Sequence, residues 1–338
     1  MASARNPRRS RCRSAVACAT CLRAQATISA PARRAVQIRS WGAYQDSGRT
    51  DRRPRGPVVL SSPGVADHDL VSESISLEQG YDDFPRIEEE FLEFLDESLD
   101  PRGPDSRYDI LAEFAPPSGG FAVDVGCGEG RNALALARRF GLRVLGVDPV
   151  ERHIGLATAA AAKAGLSETV RFERAVAEAL PIPDASADVV WSNEALTYFD
   201  LDRAFAEFAR ALAPPGIGYV HQALVGPRMT DAEARDRIAD GAAVLRPADV
   251  EAAITSAGLI LRRRLDFGSE WGEYGQERTG ASGRRLLHAA RLLRDPDRYI
   301  RRFGEANYRI MLADAHWHVY RMIGKLVGVA FVFGHPLQ

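Results

Sequence analysis

Between residues 105 and 268 the chain alternates two hydrophobic patterns. Apolar runs of strand length fall at 121–125, 142–148, 169–175, 187–192, 218–224 and 259–268. Between them, residues 133–140, 151–164, 201–212 and 247–258 read as helices, with Gly141 and Gly165 closing the first two. Such an alternation of strand and helix predicts an α/β sheet. Ahead of it, Ile87, Phe91, Phe94, Leu95 and Leu99 recur at helical spacing within 81–99, opposite Glu88, Glu89, Glu90 and Glu93. A short helix at 108–114 is stopped by Pro116 and Pro117. Beyond Gly268, nearly sixty residues precede a last apolar run at 326–333. They read as helices at 283–294 and 296–323, the second with an apolar stripe through Tyr299, Ile300, Phe303, Ile310, Met311, Ala315, Val319, Met322 and Ile323.

The first strand runs into glycines at alternate positions, Gly126, Gly128 and Gly130, and then into a helix. Glycine lets a backbone approach a ligand with no Cβ in the way, and the helix N-terminus offers unpaired N–H groups. The dinucleotide fingerprint G-x-G-x-x-G is not met, since Arg131 stands where its third glycine belongs. Asp124, two residues before the first glycine, would repel a pyrophosphate and attract an ammonium or sulfonium. The acid followed by G-x-G-x-G resembles the first motif of the class I S-adenosylmethionine-dependent methyltransferases. The later stretch AEALPIPDASADVVWSN is similar to the loop and fourth strand of the same family, in its methyltransferase type 11 or ubiquinone-methyltransferase-like branch.

The resemblance covers about residues 105–268 and implies a Rossmann-like sheet of seven strands, the last antiparallel, with helices on both faces and a helical insert at 269–325 before the last strand. It implies S-adenosyl-L-methionine as cofactor, held by Asp124, Gly126, Gly128 and Gly130 and by Asp148, whose carboxylate at the end of the second strand would take the ribose hydroxyls. Capping the following helix is the alternative for Asp148. Ala177 and Glu178 would lie against adenine, although Val176 stands where many members carry an Asp. The end of the fourth strand, Asn193 and Glu194, would face the methionine portion and the acceptor, as would Tyr198, which serves equally well as a core aromatic. Tyr81 and Tyr108 are candidates for a cover over the cofactor.

His221 on the fifth strand is a candidate base, because neutral imidazole accepts a proton near physiological pH, and Glu194 is a second. A satisfied core histidine is the alternative for His221. In the insert, Glu270, Trp271, Glu273 and Tyr274 read as a substrate wall suited to an amine or other cation. His316 and His318 are two apart on a helix and cannot share one metal ion.

Charge divides the chain. Residues 1–60 hold 13 Arg against 2 acids, and the remainder carries a net charge of −12. The acidic part speaks against a nucleic-acid substrate, and no run of eighteen apolar residues suggests a membrane span. Residues 1–75 read as a disordered Arg-rich leader, with 76–338 as the methyltransferase domain. Four cysteines, with Cys18 and Cys21 forming a solitary C-x-x-C, give no disulfide framework and point to the cytoplasm. The expected reaction is in-line transfer of methyl to an O or N of a small molecule, an amine or phenol, or of a peptide end, with the insert also suited to a homodimer contact. Two other functions fit: a non-catalytic S-adenosylmethionine-binding interaction protein and, with less support, an NAD(P)-binding oxidoreductase.

Overall fold

Seven strands form one sheet in the order β3-β2-β1-β4-β5-β7-β6. This is a computed structural model that describes residues 76–237 and 243–336. The Arg-rich leader expected over residues 1–75, with Cys18 and Cys21, lies outside the described residues. The strands are β1 Phe121–Val125, β2 Arg143–Asp148, β3 Val170–Arg174, β4 Ala187–Asn193, β5 Leu212–Val225, β6 Ile260–Gly268 and β7 Leu326–Gly334. Strands β1 to β5 pair in parallel, and β7 lies antiparallel between β5 and β6. This is the sheet the resemblance implies, with its last strand reversed.

The helices are α1 Leu77–Leu95, α2 Ser106–Glu113, α3 Arg131–Phe140, α4 Glu151–Ala164, α5 Leu201–Ala211, α6 Asp231–Arg237, α7 Pro247–Ser256, α8 Glu270–Thr279, α9 Ala281–Arg294, α10 Pro296–Phe303 and α11 Glu305–Met322. The period of two along the inner strands sends alternate residues to two cores. Val123, Val190, Val220 and Phe331 meet Phe205, Phe208 and Ile254 of α5 and α7. Ala122, Trp191, Tyr219 and Ala330 meet Tyr108, Leu111 and Leu136 of α2 and α3. On that second face Tyr108, Trp191 and Tyr219 stack in a column, with centroids 5.5 and 4.2 Å apart. Tyr108 is therefore a core residue and not a cover, and its hydroxyl bonds Asn132 Oδ1 at 2.9 Å.

Close packing at the sheet centre makes a first prediction. Gly218 pairs with Phe333 across β5 and β7, and a Cβ built there would overlap the Phe333 ring. Gly218→Ala is expected to cost about 3 kcal/mol, read by urea unfolding. A wild-type midpoint would mean that the ring swings aside freely.

Some elements depart from the pattern of the sequence. The helix expected over 296–323 is broken at Gly304 (φ 84°, ψ 156°) into α10 and α11. The stretch read as a substrate wall is itself helix α8. Its Glu270 takes the Arg102 guanidinium and backbone N–H, and Tyr274 packs on Gly103, so both side chains dock α8 onto the segment before α2. Helix α1 forms four residues earlier than the spacing suggested, and Tyr81, Phe91, Phe94 and Leu95 on it are exposed. The side chain of Ile87 lies outside the described residues. Helix α6 was not anticipated.

Candidate cofactor and acceptor site

The site is built on the carboxyl ends of β1, β2, β4 and β5. After β1, the amides of Gly126 and Cys127 both donate to Val147 O, at 2.9 and 3.0 Å, which ties the loop to β2. The three glycines answer to different demands. A Cβ at Gly126 would stand 2.5 Å from Ala195 Cβ, and one at Gly130 would stand 2.6 Å from the Phe172 ring. Gly128, at φ 52°, has nothing within 4 Å of where its Cβ would be. Two glycines therefore serve packing, and the middle one opens onto free space. Gly130, at φ 80°, caps α3. Cys127 is buried and its thiol is pushed upward, by burial first and then by Asp124 and Asp148, which leaves it no thiolate character.

Asp124 lies fully buried below this loop, and neither carboxylate oxygen has a hydrogen-bond partner among the described residues. Burial pushes its carboxyl up to about 7, while the Ala133 amide, without bond geometry, and the Arg107 guanidinium pull it back. A buried carboxylate without partners needs a cationic group to remain ionised. The open Gly128 and the orphaned Asp124 together fit a ligand with an ammonium or sulfonium, as S-adenosylmethionine has.

Asp148 is 6% exposed and heavily engaged. Its Oδ2 accepts from Gly128 N at 3.0 Å, and its Oδ1 accepts from Val150 N at 2.9 Å and stands 3.0 Å from His153 Nδ1. The carboxylate thus holds the glycine loop and the entry to α4 in register. His153 and Arg107 were missed in the sequence. Arg107 Nη1 reaches Asn193 Oδ1 at 3.4 Å, its Nε is buried without a partner, and the guanidinium lies 5.8 Å from the Trp271 ring centroid. An arginine on a short helix gives no local signal of what it will face. Ala177 is buried next to half-exposed Glu178, whose Oε1 accepts from Asp200 N at 2.8 Å and so anchors the start of α5. Val176 is 44% exposed at the mouth of this loop.

Glu194 follows β4 at φ 60°, a left-handed conformation that costs a non-glycine residue of order 1 kcal/mol and recurs at functional sites. Its Oε2 accepts from Ala223 N at 3.1 Å and Gln222 Nε2 at 3.3 Å. Its Oε1 stands 3.3 Å from His221 Nδ1, without hydrogen-bond alignment, and 3.6 Å from Arg321 Nη1. Burial favours the neutral acid, but His221, Arg321 and the Ala223 amide outweigh it and hold the carboxyl below the ordinary range. His221 is fully buried and stacked on Trp271 at 4.0 Å, and burial lowers its pKa from the ordinary imidazole value, against the pull of Glu194. The two candidate bases are therefore brought together, with Glu194 in front and His221 sealed behind it.

A cavity of about 340 Å³ opens on Glu194. Tyr198, 70% exposed, lines it with Leu245 and Val225, and α11 closes it with Ile310, Trp317 and Tyr320. Trp271 and Tyr274 do not line it: Trp271 packs behind His221 and Tyr274 on Gly103. Among the described residues, no group of three His, Cys, Asp or Glu could hold a metal ion, and no helix is long and apolar enough to cross a membrane.

Residues 123–220 match the family described as "Methyltransferase domain". The chain is 38% identical over 110 residues to 27-O-demethylrifamycin SV methyltransferase of Amycolatopsis mediterranei, across 32% of this chain and 40% of that protein. It spans less than half the length of the curated relatives it matches. Among solved structures, the [4+2]-cyclase SpnF aligns at a TM-score of 0.56 with 24% identity, covering 69% of this chain and 82% of that one. Geranyl diphosphate methyltransferase in complex with SAM aligns at 0.51 with 18% identity, covering 68% and 84%. At such identities the structural likeness speaks for the fold, and the matched domain and its ordered motifs speak for the family. Residues 123–220 match a methyltransferase domain, and the sheet that carries them has the class I S-adenosylmethionine-dependent methyltransferase fold.

Proposed function

We propose that the domain moves a methyl group from S-adenosyl-L-methionine to an oxygen or nitrogen of a small molecule, an amine or phenol, held in the cavity beside Glu194. The observation that carries this reading is the end of β4. There Asn193 contacts Arg107, which faces Asp124 under the glycine loop, and the next residue, Glu194, lines the cavity. Adjacent residues thus join the cradle for a cationic cofactor to an acceptor chamber.

When bound, the cofactor supplies a methyl group activated on a sulfonium sulfur. The chain's own residues bind, align and manage a proton. Asp124 offers charge to the ammonium end, Arg107 offers a partly unpartnered guanidinium to the methionine carboxylate, and Asp148 faces the ribose while fixing the loop. Val176 and Pro149 offer an apolar surface to adenine, and Ala177, buried beneath, and Glu178, bonded to Asp200 N, hold the loop in shape. Alignment in a dry chamber accounts for most of the acceleration in such transfers, up to roughly 7–11 kcal/mol. Glu194, ionised at neutral pH, orients the acceptor's O–H or N–H and takes its proton, with His221 packed behind it. Tyr198 stands at the mouth to pack on the acceptor.

The test is calorimetric titration of the full chain with S-adenosylmethionine, its demethylated product and NADH, with Asp148→Ala alongside. Binding of the first two is expected, weakened about 10- to 100-fold in the variant by loss of hydrogen bonds to a charged group. Binding of NADH alone, or of none of the three, would overturn the reading.

A further inference from the structure

We infer that the helical insert holds a hydrocarbon extension of the methyl acceptor, so that the acceptor is an amphiphile with its nucleophile at Glu194 and an apolar tail along α11. The inference rests on the methyl-acceptor reading of the Glu194 cavity. A second cavity, of about 590 Å³, lies within the insert among α9, α10 and α11, lined by Leu292, Tyr299, Phe303, Asn307, Ile310 and Met311. Ile310 lines both cavities.

The two cavities adjoin at Ile310 and run along α11. Residues 307, 310, 311, 314, 317 and 320 recur every three or four positions and so form one face. The first three line the insert cavity, and 310, 314, 317 and 320 line the Glu194 cavity. Arg321, whose Nη1 stands 3.6 Å from Glu194, marks the head end of this face. At 1.5 Å per residue, Ile310 lies about 16 Å further along the helix, and Phe303 lies beyond the break at Gly304, on α10. A group bound only at Glu194 would leave most of that length bare.

The lining says what the tail is made of. Phe303, Ile310 and Met311 are about half exposed, at 54%, 59% and 47%, in a groove with no apolar segment over it among the described residues. The Asn307 amide already donates to Phe303 O, and Tyr308 OH reaches Leu292 O at 3.5 Å. Asn307 and Tyr308 are thus turned to the helices' own carbonyls, and Leu292, Phe303, Ile310 and Met311 offer hydrophobic contact. His288 and Arg291 also line the cavity. Such a lining gains affinity with each methylene covered and discriminates little by hydrogen bonding.

The experiment is calorimetric titration of the full chain, saturated with the demethylated cofactor, with 4-methylphenol, 4-butylphenol, 4-hexylphenol and 4-octylphenol below their aggregation limits. Affinity is expected to rise about 2- to 4-fold per methylene through the longest probe. In Phe303→Glu and Met311→Arg the short probe should bind as before and the gain for the longer ones should be lost. Affinity that stays flat with chain length, or a gain that survives both substitutions, overturns the inference. So does sedimentation showing a dimer that Phe303→Glu dissociates while the gain with length persists, because the face is then a contact between copies. Cofactor binding measured in the same protein separates these outcomes from failure of the methyltransferase reading, which would show as no binding of the demethylated cofactor.

Discussion

At about pH 8, the cofactor-free Asp124→Asn variant is expected to be more stable than the wild type by about 2 to 4 kcal/mol, and to bind S-adenosylmethionine about 10- to 100-fold more weakly. The cause is the buried carboxyl without partners, whose pKa is raised from 3.8 to about 7. Below the lower value, folded and unfolded chains both hold the proton and nothing is lost. Between the two values the folded chain keeps a proton that the unfolded chain releases, so stability falls as pH rises. Above about 7 the full penalty of a buried, ionised Asp124 is in place. Asparagine removes the titration, so the advantage of the variant should vanish near pH 4 in urea unfolding. A bound ammonium or sulfonium supplies the missing counter-charge. Binding to the wild type below pH 7 should therefore release a proton, seen as buffer-dependent heat. A variant with the wild-type pH profile of stability would show that water already solvates Asp124.

Glu194→Gln is expected to lower the turnover of an accepted amine or phenol about 10²- to 10³-fold, with a smaller change in KM. In the wild type the carboxyl lies below its ordinary range, and burial lowers the His221 imidazole as well. Activity should therefore be flat through neutrality and fall only as pH drops below the ordinary range of a glutamate, where the carboxylate takes up a proton. The same pair bears on stability, with the same sign. A carboxyl with a depressed folded pKa contributes stability above its unfolded value and loses it as pH falls through the folded one.

Removing the charge has a second cost. Arg321 is 6% exposed, with its Nε and Nη2 already unpartnered, and Glu194 is its counter-ion. Glu194→Gln should thus destabilise the fold by about 2 kcal/mol or more, since half of a buried pair is worse than none. Adding Arg321→Met should restore the stability without the turnover. Recovery of both would assign Glu194 a structural role and remove it from the chemistry.

The insert changes the character of this site. Trp271 of α8 and Arg321 of α11 reach the back of His221 and Glu194, which the shared sheet alone would leave to solvent. The same helices carry the groove that extends the acceptor chamber. On the proposed reading, acceptor selectivity and the electrostatics of the base are therefore set by one segment.

The strands, their order of appearance and the glycine loop were legible in the chain because each depends on neighbours a few residues apart. A buried parallel strand shows as an unbroken apolar run, and Gly126, Gly128 and Gly130 announce a tight turn wherever they stand. Asp124 and Asp148 could be named for the same reason, as acids at fixed offsets from that turn. The roles of the glycines could not be told apart, because Ala195 and Phe172 come from distant strands and loops. Nor could the sequence show that Trp271 would stack on His221, or that Arg107 and Arg321 would converge on Asn193 and Glu194 from the two ends of the domain. Tyr274 looked like a binding residue and became a docking contact on Gly103. The helix expected over 296–323 looked continuous, yet it bends at Gly304, where the turn forms the insert cavity. Local periodicity fixes which residues lie on a face, but what that face meets depends on contacts between segments far apart in the chain. Burial, pKa and the shape of the chamber all follow from those contacts, and they belong to the tertiary structure.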